Sequence, residues 1–117
     1  MSQKSNESVV RDEFRLVSML RAARGALGWN QQELADRSGV SLIALARLES
    51  GAASPRLSTV SRLKAALTQA GIHLIEGEPA GGFTLQVSAG ALAGASRVLG
   101  DREGTGGPDK KQRKTDS

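Results

Sequence analysis

The chain has 117 residues, a formal net charge of +4 and a sequence pI near 10.1, which is enough sequence for one domain with some left over. It contains no cysteine and one histidine, so disulfide bonds and thiolate metal sites are excluded, and His73 cannot build a metal site alone. We therefore expect a domain held together by packing, without metal or cofactor. Its basic charge favours a polyanionic partner.

Residues 1–8 are polar and show no apolar run after a basic start. This pattern predicts neither a signal peptide nor a membrane span. We therefore expect a flexible N-terminus, no membrane partner and a cytoplasmic protein.

A first helix is predicted from about Val9 or Asp12 to Leu27, where Gly28 would end it. Apolar residues recur there at helical spacing, namely Phe14, Val17, Leu20, Ala23 and Leu27. Aromatic residues are rare in this chain, so Phe14 and Trp29 are interpreted as core residues.

Two capped helices are predicted next. Asn30 can cap the second helix with its side-chain oxygen while Glu33 reaches back to the Asn30 amide, and Ser41 can cap the third helix. Between them, Ala35 is small enough for a close helix crossing, and Gly39 can take the positive φ that a tight turn demands. The third helix would pack on the second through Val40, Leu45 and Leu48. This is the pattern of a helix-turn-helix.

The chain breaks at residues 51–55, and Ser58 then opens a predicted fourth helix that Gly71 ends. Its apolar stripe consists of Val60, Leu63, Leu67 and Ala70. Alternating apolar and polar residues on both sides of residues 77–82 predict a β-hairpin from Ile72 to Val87. A lone hairpin is marginal, so it either packs within the chain against Leu63 and Leu67 or pairs with a second chain. We expect the second arrangement, a dimer interface.

Residues 72–99 are thus predicted to form the hairpin and a weak helix, which together are a possible dimerisation element. The helix is weak because Gly90 and Gly94 each cost about 1 kcal/mol relative to alanine. Residues 100–117 contain no large apolar residue and cannot offset the entropy of ordering. We expect a disordered basic tail there.

Residues 21–71 resemble the DNA-binding domain of the phage repressor and Cro family of helix-turn-helix regulators, which includes the xenobiotic-response-element-like proteins. The resemblance is carried, in chain order, by Arg24, Leu27, Gly28, Gln31, Leu34, Ala35, Gly39, Val40, Ser41, Leu45, Leu48, Glu49, Gly51, Pro55 and the helix 58–70. It implies a mainly α fold, a repressor/Cro-like bundle of four helices followed here by a short β-hairpin. Residues 9–71 would be the DNA-binding domain.

In that family the third helix enters the major groove, and its first turn reads base edges. The resemblance therefore implies base reading by Ser41, Leu42, Ile43 and Arg47. Arg47 would bond O6 and N7 of one guanine or, instead, hold a phosphate. Leu42 and Ile43 depart from the polar residues usual in the family. They would contact thymine methyl groups or form an exposed apolar spot for a protein partner, and we favour the thymine contacts.

Phosphate contacts are expected from three residues. Gln31 lies at the start of the second helix, where the dipole suits an anion, and Ser50 and Arg56 lie near the break after the third helix. The alternative for Arg56 is a solvated surface charge. Arg24 and Glu49 match family positions that pair across the first and third helices, so they are predicted to form a structural ion pair.

The predicted function is that of a sequence-specific regulator of transcription that binds double-stranded DNA, associated with the nucleoid, and more often a repressor acting as a homodimer on a palindromic site. The alternative is an antitoxin or adaptor that binds DNA through the same domain and a protein, a toxin or RNA polymerase, through the segment after Gly71. An enzyme is disfavoured because the sequence offers no Ser-His-Asp constellation, phosphate loop or metal ligand set.

Overall fold

The computed structural model describes residues 6–106 of the chain. The elements in chain order are α1 (Asn6–Leu27), α2 (Gln31–Ser38), α3 (Leu42–Glu49), α4 (Leu57–Gln69), β1 (Ile72–Glu76), β2 (Phe83–Val87) and α5 (Ala89–Gly106). The predicted arrangement of four helices followed by a short β-hairpin is confirmed, and a fifth helix follows the hairpin. No helix within residues 6–106 is both long enough and apolar enough to cross a membrane.

Two helices begin earlier than predicted. The helix α1 starts at Asn6, inside the segment 1–8 that was expected to be flexible, and residues 1–5 lie outside the described part. The helix α4 starts at Leu57, one residue before the predicted Ser58, and Arg56 is at its N-cap position. Both helices are already fixed by a packed face, and each added residue then gains a hydrogen bond at little cost.

The core lies between the first four helices and the hairpin. Its largest fully buried side chains are Met19, Leu20, Leu34, Leu45, Leu63, Leu67 and Ile72. Trp29 is partly buried against this cluster, as predicted. The prediction for Phe14 is wrong, because its side chain is 71% exposed. Phe14 lies on a different side of α1 from the buried Leu20 and Leu27, so its helical spacing did not bring it into the core.

The hairpin packs on its own chain. Its antiparallel register pairs Ile72 with Val87 and Leu74 with Leu85, and these four residues share one face. All four belong to the core cluster or pack against it, and the strands contact α4 and α1. An ion pair between Lys64 and Glu76 also ties β1 to α4. The apolar face is therefore covered within the chain, which removes the reason for expecting the dimer interface at the hairpin.

The helix α5 is longer than the weak helix predicted for residues 88–99. It continues to Gly106, into the segment 100–117 that was expected to be disordered, and residues 107–117 lie outside the described part. Ala91 and Ala95 are buried in its packed face, and the Ser88 hydroxyl accepts the Ala91 N–H at 3.1 Å. A helix nucleated by packing and a cap extends at low cost, which outweighs the unfavourable glycines.

Gly71 joins α4 to β1 at a position where a side chain would be crowded. Its φ is 101°, in the left-handed region, and a Cβ atom there would overlap Ser88 Oγ and lie 3.0 Å from Ala91 Cβ. The Gly71 carbonyl also accepts the Ser88 N–H at 2.9 Å. The close approach of α5 to this corner and the left-handed backbone therefore both favour glycine.

Candidate DNA-binding surface

The turn between α2 and α3 has the geometry that the sequence predicts. Asn30 Oδ1 accepts the Glu33 N–H at 2.8 Å, and Ser41 Oγ accepts the Ala44 N–H at 3.1 Å. Gly39 has a φ of 76° and donates its N–H to the Ala35 carbonyl at 3.0 Å. Each helix thus starts with a capped turn, and the angle between the two helices is fixed by the left-handed residue.

The second half of the predicted capping box is different. The Glu33 carboxylate does not reach back to the Asn30 amide in the described contacts but accepts a hydrogen bond from Arg37 Nε at 2.7 Å. The Arg37 guanidinium in turn lies 4.9 Å from the centre of the Trp29 ring. The Arg37 guanidinium, one helical turn away, is charged, and it therefore binds the Glu33 carboxylate more strongly than the neutral Asn30 N–H does.

A buried carboxylate holds the end of α3. Glu49 is 2% exposed, and Arg24 contacts both of its oxygens, from Nε at 2.9 Å and from Nη2 at 2.7 Å. Gln31 Nε2 donates to Glu49 Oε1 at 3.0 Å, and Arg21 Nη2 donates to the Glu49 carbonyl at 2.9 Å. The predicted contact between Arg24 and Glu49 is present, and Arg21 and Gln31 extend it. We refer to these four residues as the Glu49 cluster.

The charge of Glu49 is stabilised by this cluster. Burial alone would raise the pKa of its carboxyl group, but the hydrogen bonds from Arg24 and Gln31 and the positive charges of Arg24 and Arg21 outweigh burial. The pKa therefore lies below its ordinary value of 4.5. Because the partners of Glu49 come from α1 and α2, an ionised Glu49 fixes α3 relative to both helices.

The outer face of α3 is open to solvent. Ser41, Leu42, Ile43 and Arg47 are all exposed, whereas Leu45 and Leu48 are buried against the core. Ile43 is 74% exposed, so it has no packing role in the described part of the chain. The structure thus brings the four predicted base-reading residues to one surface.

A groove of about 300 Å³ runs beside α3 and is lined by four of the predicted contact residues, Ser41, Ile43, Arg47 and Arg56. Its other side is formed by the loop 50–56 and the start of α4. No ion pair joins Arg47 or Arg56 to another residue of the described chain. Ser50 is exposed at the edge of the loop, and its hydroxyl donates to the Arg47 carbonyl at 3.0 Å.

Three details of this surface differ from, or add to, the prediction. The Gln31 side chain is tied to Glu49, so only its second N–H is available for the predicted phosphate contact. Thr59 lines the groove, and Leu57 is exposed next to Arg56; neither was predicted. Their signal in the sequence is the start of α4 two residues after Pro55, which places the first helical turn beside the groove.

Comparison with known proteins supports this description of the surface. Residues 20–68 match the model of a helix-turn-helix family. No curated protein and no solved structure matches the chain. The matched segment contains both capped helices, the Glu49 cluster and the groove. Residues 20–68 are therefore a helix-turn-helix domain, the kind of domain through which transcription regulators bind DNA.

Proposed function

We propose that the chain is a sequence-specific regulator of transcription that acts as a repressor, binding a palindromic site on double-stranded DNA as a two-fold dimer. The proposal rests on the exposed face of α3, a helix whose C-terminal end is fixed by the Glu49 cluster. An exposed helix whose position is fixed by the rest of the domain can enter the major groove of DNA. Occlusion of a promoter requires no chemistry beyond binding.

Within this proposal, Ser41, Leu42, Ile43 and Arg47 contact bases. The guanidinium of Arg47 can form two parallel hydrogen bonds with guanine, and Leu42 and Ile43 offer apolar surface to thymine methyl groups. Because two of the four residues have no polar side-chain group, the preferred site is expected to contain A·T pairs beside a guanine.

Gln31, Ser50 and Arg56 are proposed to contact phosphates. Arg56 is exposed on the far side of the groove from α3 and has no ion pair to another described residue, so its charge is available to the DNA backbone. Phosphate contacts set the position of a protein on the duplex but carry no sequence information. Arg47 and Arg56 thus have different expected roles although they share one groove.

The adaptor alternative has no support from the described contacts. It requires the segment after Gly71 to offer a surface to a toxin or a polymerase. The hairpin instead directs Ile72, Leu74, Leu85 and Val87 toward its own core. We therefore keep the simpler proposal, in which DNA is the partner.

Selection of bound duplexes from a random pool tests the proposal. We expect the full chain to enrich one palindromic site, and Arg47→Ala and Ile43→Ala to change the enriched bases. Arg97→Ala and Leu92→Ala are the matched controls, because these side chains are exposed on α5, outside residues 20–68. A pool that shows no enrichment would contradict sequence-specific binding. Enrichment that Arg97→Ala changes as much as Arg47→Ala would contradict base reading by α3.

A further inference from the structure

The helix α1 exposes an aromatic side chain next to a recess. Phe14 is 71% exposed, more than its type usually is. Beside it lies a recess of about 410 Å³ between α1 and the end of α3 with the following loop. Val17, Leu48, Ala53 and Pro55 contribute its apolar lining. We refer to this as the α1 recess.

Two opposite charges border the apolar part of the α1 recess. Glu13 and Arg21 both line it, and they stand on the same side of α1 as Val17, four residues before it and four residues after it. The order along the helix is therefore negative, apolar, positive. Arg21 uses one N–H for the Glu49 carbonyl, so its charge is not neutralised by that contact.

We propose that a second copy of this chain occupies the α1 recess, with the two α1 helices antiparallel across a two-fold axis at Val17. In this arrangement Glu13 of each protomer faces Arg21 of the other, and each Phe14 enters the partner's recess. A two-fold interface must be complementary to itself. The order of charges around Val17 meets that condition only when the helices are antiparallel.

The charge order selects this occupant over an unrelated protein. A single surface that carries an aromatic group, a recess to receive it, and both members of an ion pair has all the parts of an isologous contact. The hairpin offers no comparable surface, since its apolar face is already covered. We therefore place the dimer contact at α1 and not at the hairpin.

The proposed interface is compatible with the groove beside α3. Leu48, Ala53 and Pro55 line both the groove and the α1 recess, so the loop 50–56 stands between the two. Arg47 and Arg56 line only the groove, whereas Ser50 lines the α1 recess, so of the proposed DNA contacts Ser50 is the one that lies at the edge of the interface. The inference goes beyond the proposed function, which requires a dimer but does not locate its contact.

Sedimentation equilibrium of the full chain without DNA tests the interface. We expect a concentration-dependent dimer, and we expect Phe14→Ala to raise its dissociation constant at least about thirtyfold, as removal of a central aromatic residue does. Leu92→Ala is the matched control, because Leu92 is 55% exposed on α5 and does not line the recess. Circular dichroism monitors folding of each variant.

Charge reversal makes the test specific. Glu13→Arg and Arg21→Glu alone each place like charges across the axis and should raise the dissociation constant about tenfold or more. The double variant should return to within about threefold of the parent protein. Such a recovery cannot come from the contact of Arg21 with Glu49, because the double variant still lacks it.

A monomeric parent protein, a dimer that Leu92→Ala weakens as much as Phe14→Ala, or a double variant without recovery would each overturn the interface. A monomeric parent protein would also contradict the proposed two-fold binding, whereas the other two results would leave it standing, because duplex selection measures DNA binding separately. Conversely, a normal dimer that enriches no DNA site would contradict the proposed function and leave the interface standing.

Discussion

The helix-turn-helix and the C-terminal hairpin with α5 pack on the same core but are fixed to it by different interactions. The helix α3 is held by a buried carboxylate with several hydrogen-bond donors. The hairpin and α5 are held chiefly by apolar contact, through Ile72 and two buried alanines of α5. Apolar packing is non-directional, whereas a bidentate ion pair fixes orientation. The helix that we propose to contact DNA is thus the one with the directional attachment.

The largest expected effect is that of removing the directional attachment. Glu49→Ala should lower the free energy of unfolding by about 2–4 kcal/mol, because Arg24, only 18% exposed, loses its buried partner. Urea denaturation measures this change. Glu33→Ala is the matched control, since its ion pair with Arg37 is largely exposed and contributes under about 1 kcal/mol. Equal losses from the two variants would show that the Glu49 cluster does not hold α3.

A second prediction compares one left-handed glycine in each region, Gly71 and Gly39. Gly71→Ala should cost about 2–3 kcal/mol, because the new methyl group must displace Ser88 in addition to adopting a left-handed backbone. Gly39→Ala should cost about 1–2 kcal/mol, since a Cβ there has no atom within 4 Å beyond its chain neighbours. Thermal unfolding of both variants shows which of the two substitutions lowers stability more. A larger loss at Gly39 would mean that α5 does not pack closely on the corner.

Stability should also depend on pH through Glu49. Its pKa is lowered by folding, so its contribution is fully present above the ordinary value of 4.5 and is lost as the pH falls through the lowered value. In this acidic range the unfolded chain binds the proton more readily than the folded one. The parent protein should therefore lose stability more steeply below pH 4.5 than Glu49→Gln does. Parallel curves for the two proteins would contradict an ionised, stabilising Glu49.

The smallest effects are expected at the helix caps. Asn30→Ala in the helix-turn-helix and Ser88→Ala before α5 should each cost about 1 kcal/mol, because each side chain satisfies one backbone N–H. Similar losses in the free energy of unfolding, measured by urea denaturation, would show that the caps stabilise the two regions equally. The Glu49 cluster would then account for the difference between them.

The sequence predicted the helix-turn-helix well because its signals are local. Asn30, Gly39 and Ser41 act within a few residues of themselves, so their caps and turn could be recognised from spacing. The contact between Arg24 and Glu49 spans a long stretch of chain, and only the family resemblance suggested it. The base-reading and phosphate assignments stay predictions, because an exposed side chain does not by itself identify its partner.

The failures have a common cause in tertiary packing. The spacing of Phe14 fits a helix, but the side of α1 that becomes buried depends on where α3 and the hairpin lie. Gly90 and Gly94 lower intrinsic helix propensity, yet burial of Ala91 and Ala95 stabilises α5. The hairpin was expected to need a second chain, because the sequence does not show that α1 and α4 cover it.

The ion pairs within the chain have a consequence for its response to salt. Several cations are already neutralised by carboxylates, namely Arg15 by Asp12, Arg24 by Glu49, Arg37 by Glu33 and Lys64 by Glu76. A cation that is already paired releases few counterions from DNA. Arg47 and Arg56 form no ion pair with another described residue. Each phosphate that such a residue neutralises adds about −0.9 to the slope of the logarithm of the binding constant against the logarithm of the salt concentration. Because these four cations are already paired, the salt dependence of binding should be shallower than the total of 16 lysines and arginines suggests.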